Sequence, residues 1–374
     1  MKYKNITLIL FFSLFSALNA IAANNNWMSE IPNDRILNQL IIPGSHDSGT
    51  YGIQPQSKFS LSPDDPLPIW IEAISNILPA SLLTPIVAGW SKTQPYSITE
   101  QLNNGIRYLD FRVCYFQSHF YLCHALISVR LKNALQQIQT FIQKNPSEII
   151  LLDINHVYNV TNSAEETQLV QLLQNTLENT AIPNSYKITD TMKTLLKSHH
   201  NVIIFMNTSQ VITDPTAQQF AAKKLWSESK IDSPWPDAAD MNDLKNTLDT
   251  EMAFRDKIYA SANNLFVLQI IQTENTDEVI DGILNPSQYP NAIEPYELPV
   301  NQALGDWMNN YIAEYGPPPL NIIIQDWFTT GSPLVPLAIQ YDTVSIPLKN
   351  KLSSGAREKL RELKKWCLNN TAFQ

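Results

Sequence analysis

The sequence predicts a single-domain α/β fold, an irregular TIM-type (β/α) barrel. Three observations point there. Short apolar, β-rich runs recur along the chain; they are continuous rather than alternating; and helical or irregular segments separate them. Continuous apolar runs suit parallel strands covered on both faces, and strand–helix alternation builds a parallel sheet or barrel. At 374 residues the chain is long enough for one such barrel with insertions.

The predicted strands follow in order. "QLIIPG" at 39–44 comes first, with Pro43 and Gly44 read as its stop. "GIRYLDFRV" at 105–113 is the second and "EIILLDINHVY" at 148–158 the third. "NVIIFMN" at 201–207, "NLFVLQII" at 264–271 and "LNIIIQDWF" at 320–328 complete the series. Cys114 and Cys123 flank "YFQSHFYL", which reads as a hairpin that brings the two thiols close enough to pair in an oxidising compartment; Cys367 is left over. "LKNALQQIQTFIQKN" at 131–145 has the period of an amphipathic helix. The barrel is assigned to 27–345, and 346–374 to a C-terminal helix packing on it.

Two segments stand outside that rhythm. Residues 1–22 carry Lys2 and Lys4, an apolar run from Ile6 to Leu18 and then Ala20-Ile21-Ala22, the pattern of a signal peptide cleaved after Ala22, so a secreted or periplasmic location is expected. Residues 53–90 form an insertion whose part 73–91 has no charged side chain. Pro79 and Pro85 argue against a lipid-exposed span, which leaves a packed helical insertion or a lid beside the site with Trp70 and Trp90 at a membrane interface.

The net charge of −9 argues against nucleic acid as a partner and against broad electrostatic adhesion to anionic membranes. Three cysteines supply neither a disulfide scaffold nor a zinc site.

Polar residues gather at the C-terminal ends of the predicted strands: His46 and Asp47, then Asp110 and Arg112, then Asp153, Asn155 and His156, and last Gln325 and Asp326. In a parallel barrel those ends share one face, where active sites form. Six of the converging side chains carry the chemistry: two histidines (His46 and His124), three carboxylates (Asp47, Asp110 and Asp326) and one arginine (Arg112). Two histidines divide base and acid roles near neutral pH, a carboxylate behind one of them fixes its tautomer, and an arginine neutralises a phosphoryl oxygen. This inventory fits phosphoryl transfer without a metal. A hard-cation site on Asp47, Asp110 and His124 is the alternative, and Arg112 beside Asp110 weighs against it. Taken alone, Asp110 and Arg112 read as a strand-end ion pair, and His119, His199 and His200 as surface residues.

"IPGSHDSGTYG", "WSKTQPYSITEQLNNGIRYLDFRV", the histidine of "FYLCHAL", "FIQKNPSEIILLDINHVY" and "NIIIQDWFTTGSPLVPLAIQ" together resemble the X-domain of phosphatidylinositol-specific phospholipase C, in register over most of 36–340. The likeness is to the secreted bacterial enzymes and the X-domain-only proteins of eukaryotes. The resemblance implies cleavage of the phosphodiester between diacylglycerol and inositol phosphate. It implies His46 as general base, Asp326 as the carboxylate orienting it, His124 as general acid, and Arg112 as the phosphate ligand, with Asp47 bonded to it and Asp110 nearby. Calcium-dependent relatives carry a second carboxylate where this chain has Arg112, so the resemblance implies no metal or other cofactor. The implied partner is a phospholipid at a membrane surface, met by a peripheral monomer.

Bacterial members hold the inositol hydroxyls with charged side chains on the middle strands. This chain offers Asn155, Asn207 and Gln269 at the matching places, with Trp327 beside Asp326. A phosphodiesterase for another phospholipid or a glycerophosphodiester is the rival enzyme reading. A catalytically silent X-domain that binds head groups or a protein is the rival of another class.

Overall fold

Among the described residues, eight strands run parallel in chain order around an open barrel. They are β1 (Ile42–Ser45), β2 (Tyr108–Phe116), β5 (Ile150–Tyr158), β6 (Val202–Phe205), β7 (Leu225–Trp226), β8 (Ile231–Asp232), β9 (Leu265–Gln269) and β10 (Ile322–Gln325). β3 (His119–His124) and β4 (Leu126–Arg130) extend β2 as an antiparallel meander. The computed structural model describes residues 24–59, 69–316 and 319–343; the expected signal peptide at 1–22 and the C-terminal helix assigned to 346–374 lie outside the described residues. β10 pairs β1, and the sheet order β7-β6-β5-β2-β1-β10-β9-β8 leaves its one seam between β7 and β8. The two strands at that seam have two residues each and are joined by the turn 227–230, too short for the helix that links other neighbours.

Alternation of side chains decides which residues meet inside. Ile42, Tyr108, Leu151, Ile203, Phe205, Leu265, Val267, Ile322 and Ile324 fill one apolar cluster, the barrel interior. Their neighbours Leu109, Phe111, Leu152, Val202 and Ile204 pack outward against helices Leu131–Lys144 and Ser163–Leu177. Ile323, Phe266 and Leu268 pack against helices Met241–Ile258 and Ile293–Tyr315. Strands buried on both faces read as unbroken apolar runs for this reason.

Three expectations need correction. β1 starts at Ile42 and contains Pro43 and Gly44: the Pro43 carbonyl still accepts from Arg107 N (2.8 Å), so the proline costs the ladder a donor without ending the strand. Cys114 and Cys123 are not joined to each other by a disulfide, because the β2–β3 register sets Cys114 opposite Tyr121 rather than opposite Cys123. The turn between these strands is the expected hairpin, Gln117-Ser118, both at positive φ. Trp70 and Trp90 are buried, at 3% and 1% exposure, in a cluster with Val87, Leu126 and Tyr296, so neither sits at a membrane interface. Among the described residues no helix is long and apolar enough to cross a membrane.

Below the barrel, Arg107 and Glu148 form a fully buried ion pair. Arg107 Nε donates to Glu148 Oε2 (2.7 Å) and Nη1 to the Leu102 and Ile106 carbonyls, while Glu148 Oε1 accepts from Met28 N. Removing one partner strands the other charge in the core. Arg107→Ala should therefore lower the free energy of unfolding by about 3–5 kcal/mol, read as the shift of a urea or guanidinium midpoint; a loss under ~1 kcal/mol would place the pair in contact with solvent.

Candidate active site

The inward series of each strand continues past its apolar members into polar ones at the C-terminal end. Ile42 and Gly44 lead to His46, Tyr108 to Asp110, Leu151 to Asp153 and Asn155, Val267 to Gln269, and Ile324 to Asp326. Arg112, two residues after Asp110, faces the same side by alternation, and the register shift opposite Phe111 and Arg112 leaves Asn155 as the extra residue of β5. One period-2 rule thus carries most of the site.

At its centre lies the Asp47 carboxylate, 1% exposed. Its Oδ1 is 3.0 Å from Arg112 Nε; its Oδ2 is 3.4 Å from His46 Nε2 and 3.6 Å from His124 Nε2. Asp47 adopts φ 39°, a left-handed conformation that Asp tolerates better than most residues, and its own N–H donates to Asp110 Oδ2 (3.1 Å). His46 Nδ1 meets Asp326 Oδ1 at 2.7 Å, and the two imidazole centroids are 6.1 Å apart. His124 Nδ1 donates to the Ser91 carbonyl (3.0 Å), which leaves its Nε2 facing Asp47.

The turn carrying His46 and Asp47 is held by side chains from elsewhere. Thr93 Oγ1 donates to the His46 and Asp47 carbonyls. Gln94 Nε2 donates to the Gln325 carbonyl (2.7 Å) and to that of His46 (3.2 Å), tying the ends of β1 and β10 together. Asn301 Nδ2 donates to the Asp326 and Trp327 carbonyls from behind. Gly49 is required by close approach: a Cβ there would lie 2.3 Å from the Leu122 side chain. Ser91 to Gln94, the residues that follow the insertion, are thus built into the site.

These contacts set the charge states. Burial works against a charged His46, but the Asp47 and Asp326 carboxylates and the Asp326 hydrogen bond outweigh it and push its pKa up to about 9. Burial also lowers His124; Asp47 opposes this, while Arg112 and His46 add to it, and the result stays below the ordinary histidine value. Burial raises Asp47, yet Arg112 and the histidines bring it below the usual carboxylate range. Asp110, buried and beside the charge of Asp47, rises to about 6.

Next to this cluster opens a cleft of about 360 Å³ walled by His46, Asp110, Arg112, Asn155, Gln269 and six others. His124 is not one of its walls and stands across Asp47, toward solvent, with 23% of its side chain exposed. Asn155 Nδ2 donates to Asp110 Oδ1 (2.6 Å), and Gln269 Nε2 holds the loop at Ser233 and Pro234. Two predicted contacts are not brought in. Asn207 lies past the end of β6, exposed and bonded to the Glu228 carboxylate instead. Trp327 turns away at φ 44°, gives its Nε1–H to the Lys92 carbonyl and packs on the Trp70–Trp90 cluster.

Sequence reasoning placed Asp153 at a strand end without giving it a role, and missed Glu228 and Trp235 as walls of the cleft. The inward series through Leu151 points to Asp153. Nothing local marks Trp235, whose ring lies 5.6 Å from that of His46 and is brought there by the loop after β8.

His46, Asp47 and Asp110 also offer ligand atoms within 4.8 Å of one another, a spacing that suits a cation. Arg112 already supplies positive charge to Asp47 from 3.0 Å.

The family model for PI-PLC X (PI-PLC X 1) matches residues 86–223. PI-PLC X domain-containing protein 2 of Homo sapiens is 30% identical over 268 residues, which are 70% of this chain and 81% of that protein. PI-PLC X domain-containing protein 3 of Mus musculus is 26% identical over 82% of this chain and 90% of its own length. Among solved structures, the phosphatidylinositol-specific phospholipase C from Listeria monocytogenes superposes with a TM-score of 0.58 at 17% identity, covering 86% of this chain and 99% of that one. A Staphylococcus aureus phosphatidylinositol-specific phospholipase C gives 0.56 at 13%, over 86% and 98%. The structural likeness is one of fold, down to the parallel barrel with helices around it. With the human relative covered over four fifths of its length, the chain belongs to the PI-PLC X-domain family.

Proposed function

We propose that the protein is a secreted, metal-independent phospholipase C of the phosphoinositide type. The observation that carries this reading is the Asp47 carboxylate bridging two imidazoles and a guanidinium, with Asp326 behind one imidazole.

In this reading the head group occupies the cleft and its 2-hydroxyl faces His46 Nε2. His46 takes the hydroxyl proton and the freed oxygen attacks phosphorus. The bond from phosphorus to the glycerol oxygen breaks, and His124 Nε2–H protonates the departing oxygen. Diacylglycerol and a cyclic 1,2-phosphate result. His124 stands on the outer side of Asp47, where a lipid leaving group would emerge from the cleft. Because the nucleophile belongs to the substrate, alignment supplies a large share of the acceleration. Arg112 neutralises the phosphoryl oxygens, and no step is routed through a metal.

The resting charge distribution is the reverse of the working one. Asp47 and Asp326 hold the proton on His46, while catalysis needs His46 neutral and His124 charged. An incoming phosphodiester anion favours the charged form of His124 and so helps assemble the working tautomer.

The dependence of kcat/KM on pH follows. It should be bell-shaped, with an acid limb set by the depressed His124 and an alkaline limb near 9 set by His46. Asp326→Asn removes a negative charge from His46, lowers its pKa and should move the alkaline limb to lower pH. An unmoved limb would dissociate Asp326 from His46.

The substitutions and the substrate test are direct. His46→Ala and His124→Ala should each cost at least about 10²-fold in rate, and Arg112→Lys should be similarly damaging because a point charge cannot replace a planar fork. In EDTA the protein should release diacylglycerol from phosphatidylinositol and not from phosphatidylcholine. Loss of activity in EDTA with recovery on calcium would move the mechanism to a cation on His46, Asp47 and Asp110. Head-group binding with no turnover of any phosphodiester would make the chain a binding protein. Secretion is checked by N-terminal sequencing of exported protein, expected to begin at Ala23.

A further inference from the structure

The open seam carries a second cavity, separate from the cleft. The turn 227–230 divides its side chains between the two. Glu228 is a wall of the cleft, whereas Ser227 and Lys230 wall a cavity of about 550 Å³ that shares no lining residue with it. The loop 184–189, β7 and Asn263 ahead of β9 supply the rest. These walls are fastened to one another. Asn184 Nδ2 donates to the Ala222 (3.0 Å) and Leu225 (2.9 Å) carbonyls, and Trp226 Nε1 to the Ile182 carbonyl (3.0 Å), so loop and strand hold one spacing. Ile188, Leu225 and Trp226 are buried and give the cavity an apolar side. Lys187 and Lys230 give it a basic one, and neither forms an ion pair among the described residues. The acidic groups near them in sequence are engaged elsewhere. Asp190 Oδ2 accepts from Lys187 N (2.8 Å), Glu228 accepts from Asn207, and Asp232 interacts with Arg255. No Asp or Glu lines the cavity, although acidic residues outnumber basic ones 35 to 26 in the whole chain.

We propose that this cavity binds a small organic anion, its phosphate or carboxylate on Lys187 and Lys230 and its ring or alkyl body against Ile188, Leu225 and Trp226. The proposal does not depend on the phosphodiesterase reading, because no residue of the reacting cluster takes part. A basic cavity in an acidic chain gathers anions from solution. Ammonium groups without a protein partner form charge-assisted hydrogen bonds to phosphate or carboxylate oxygens. Tyr186 and Asn263, also walls, add neutral donors. A metal cation would meet two positive charges and no carboxylate. A neutral ligand would leave both ammonium groups unused, and an inorganic ion would leave the apolar side wet. The volume falls within the roughly 300–1,000 Å³ of small-molecule sites.

Calorimetric titration of the full chain with phenyl phosphate, benzoate, inorganic phosphate and phenol tests this. The better of the two aromatic anions should bind at least about tenfold more tightly than phenol, which lacks the charge, and than inorganic phosphate, which lacks the ring. Which anion binds better identifies the preferred charged group, and added salt should weaken it. Lys187→Ala with Lys230→Ala should reduce that affinity about tenfold or more, and Lys187→Arg with Lys230→Arg should keep most of it. Arg112→Ala should leave it within about twofold, which separates this cavity from anion binding in the cleft. Neither lysine is buried or ion-paired among the described residues, so the alanine pair should match the wild type in thermal melts. An affinity that the lysine pair does not move, or that Arg112→Ala abolishes, overturns the proposal. Equal binding of phenol, or no binding of either aromatic anion, overturns it as well.

Discussion

One buried carboxylate, Asp47, organises the candidate site. It has three cationic or potentially cationic neighbours, and their geometry is set relative to it rather than to one another. A carboxylate with almost no exposure stays ionised only when opposite charge outweighs the desolvation, and here Arg112 and the histidines do so. The arrangement is mutual: Asp47 keeps Arg112 oriented and keeps a proton on His46, while Asp326 fixes the other edge of the same imidazole. Under the proposed function, a phosphoryl group would meet this charge pattern already in place, the preorganisation that electrostatic catalysis requires.

Holding one aspartate so closely takes structure from the whole chain. The His46–Asp47 turn leaves β1 with a left-handed residue, and its carbonyls are bonded by Thr93 and Gln94, just after the insertion. Gln94 also reaches the β10 carbonyl that precedes Asp326, so one side-chain amide sets the spacing between the members of the His46–Asp326 pair. Asn301, fully buried on the helix Ile293–Tyr315, fastens the far side of Asp326 and accepts from Gln325. A buried polar network restricts geometry, and here its hydrogen bonds converge on the two strand ends that must stay in register.

The open seam gives the barrel its irregular character and shapes the cleft. Closing the sheet between β7 and β8 would bring those strands within ladder distance. Left open, the turn 227–230 brings Glu228 to the edge of the cleft, and the loop after β8 brings Ser233 and Trp235. The walls of the cleft therefore differ in origin: His46, Asp110 and Arg112 continue regular strands, whereas Glu228, Ser233 and Trp235 are delivered by a break in regularity.

Much of this was legible in the sequence. Unbroken apolar runs such as "NVIIFMN" and "LNIIIQDWF" announce strands covered on both faces, because a side chain on either face of such a strand meets other side chains. The polar residues that end those runs announce the site, because period-2 alternation carries an inward series from Ile324 to Asp326 or from Tyr108 to Asp110. Tertiary structure alone decided the remainder. Asn207 was lost to Glu228, Trp327 to the Lys92 carbonyl, and Trp235 was gained from a loop with no local signature. The two-residue strands at the seam were invisible because Leu225–Trp226 and Ile231–Asp232 are too short to show a period. Sequence patterns report the environment that repeats along a strand or helix. A contact made once, across a gap in the sheet or from the end of an insertion, leaves no repeat to read.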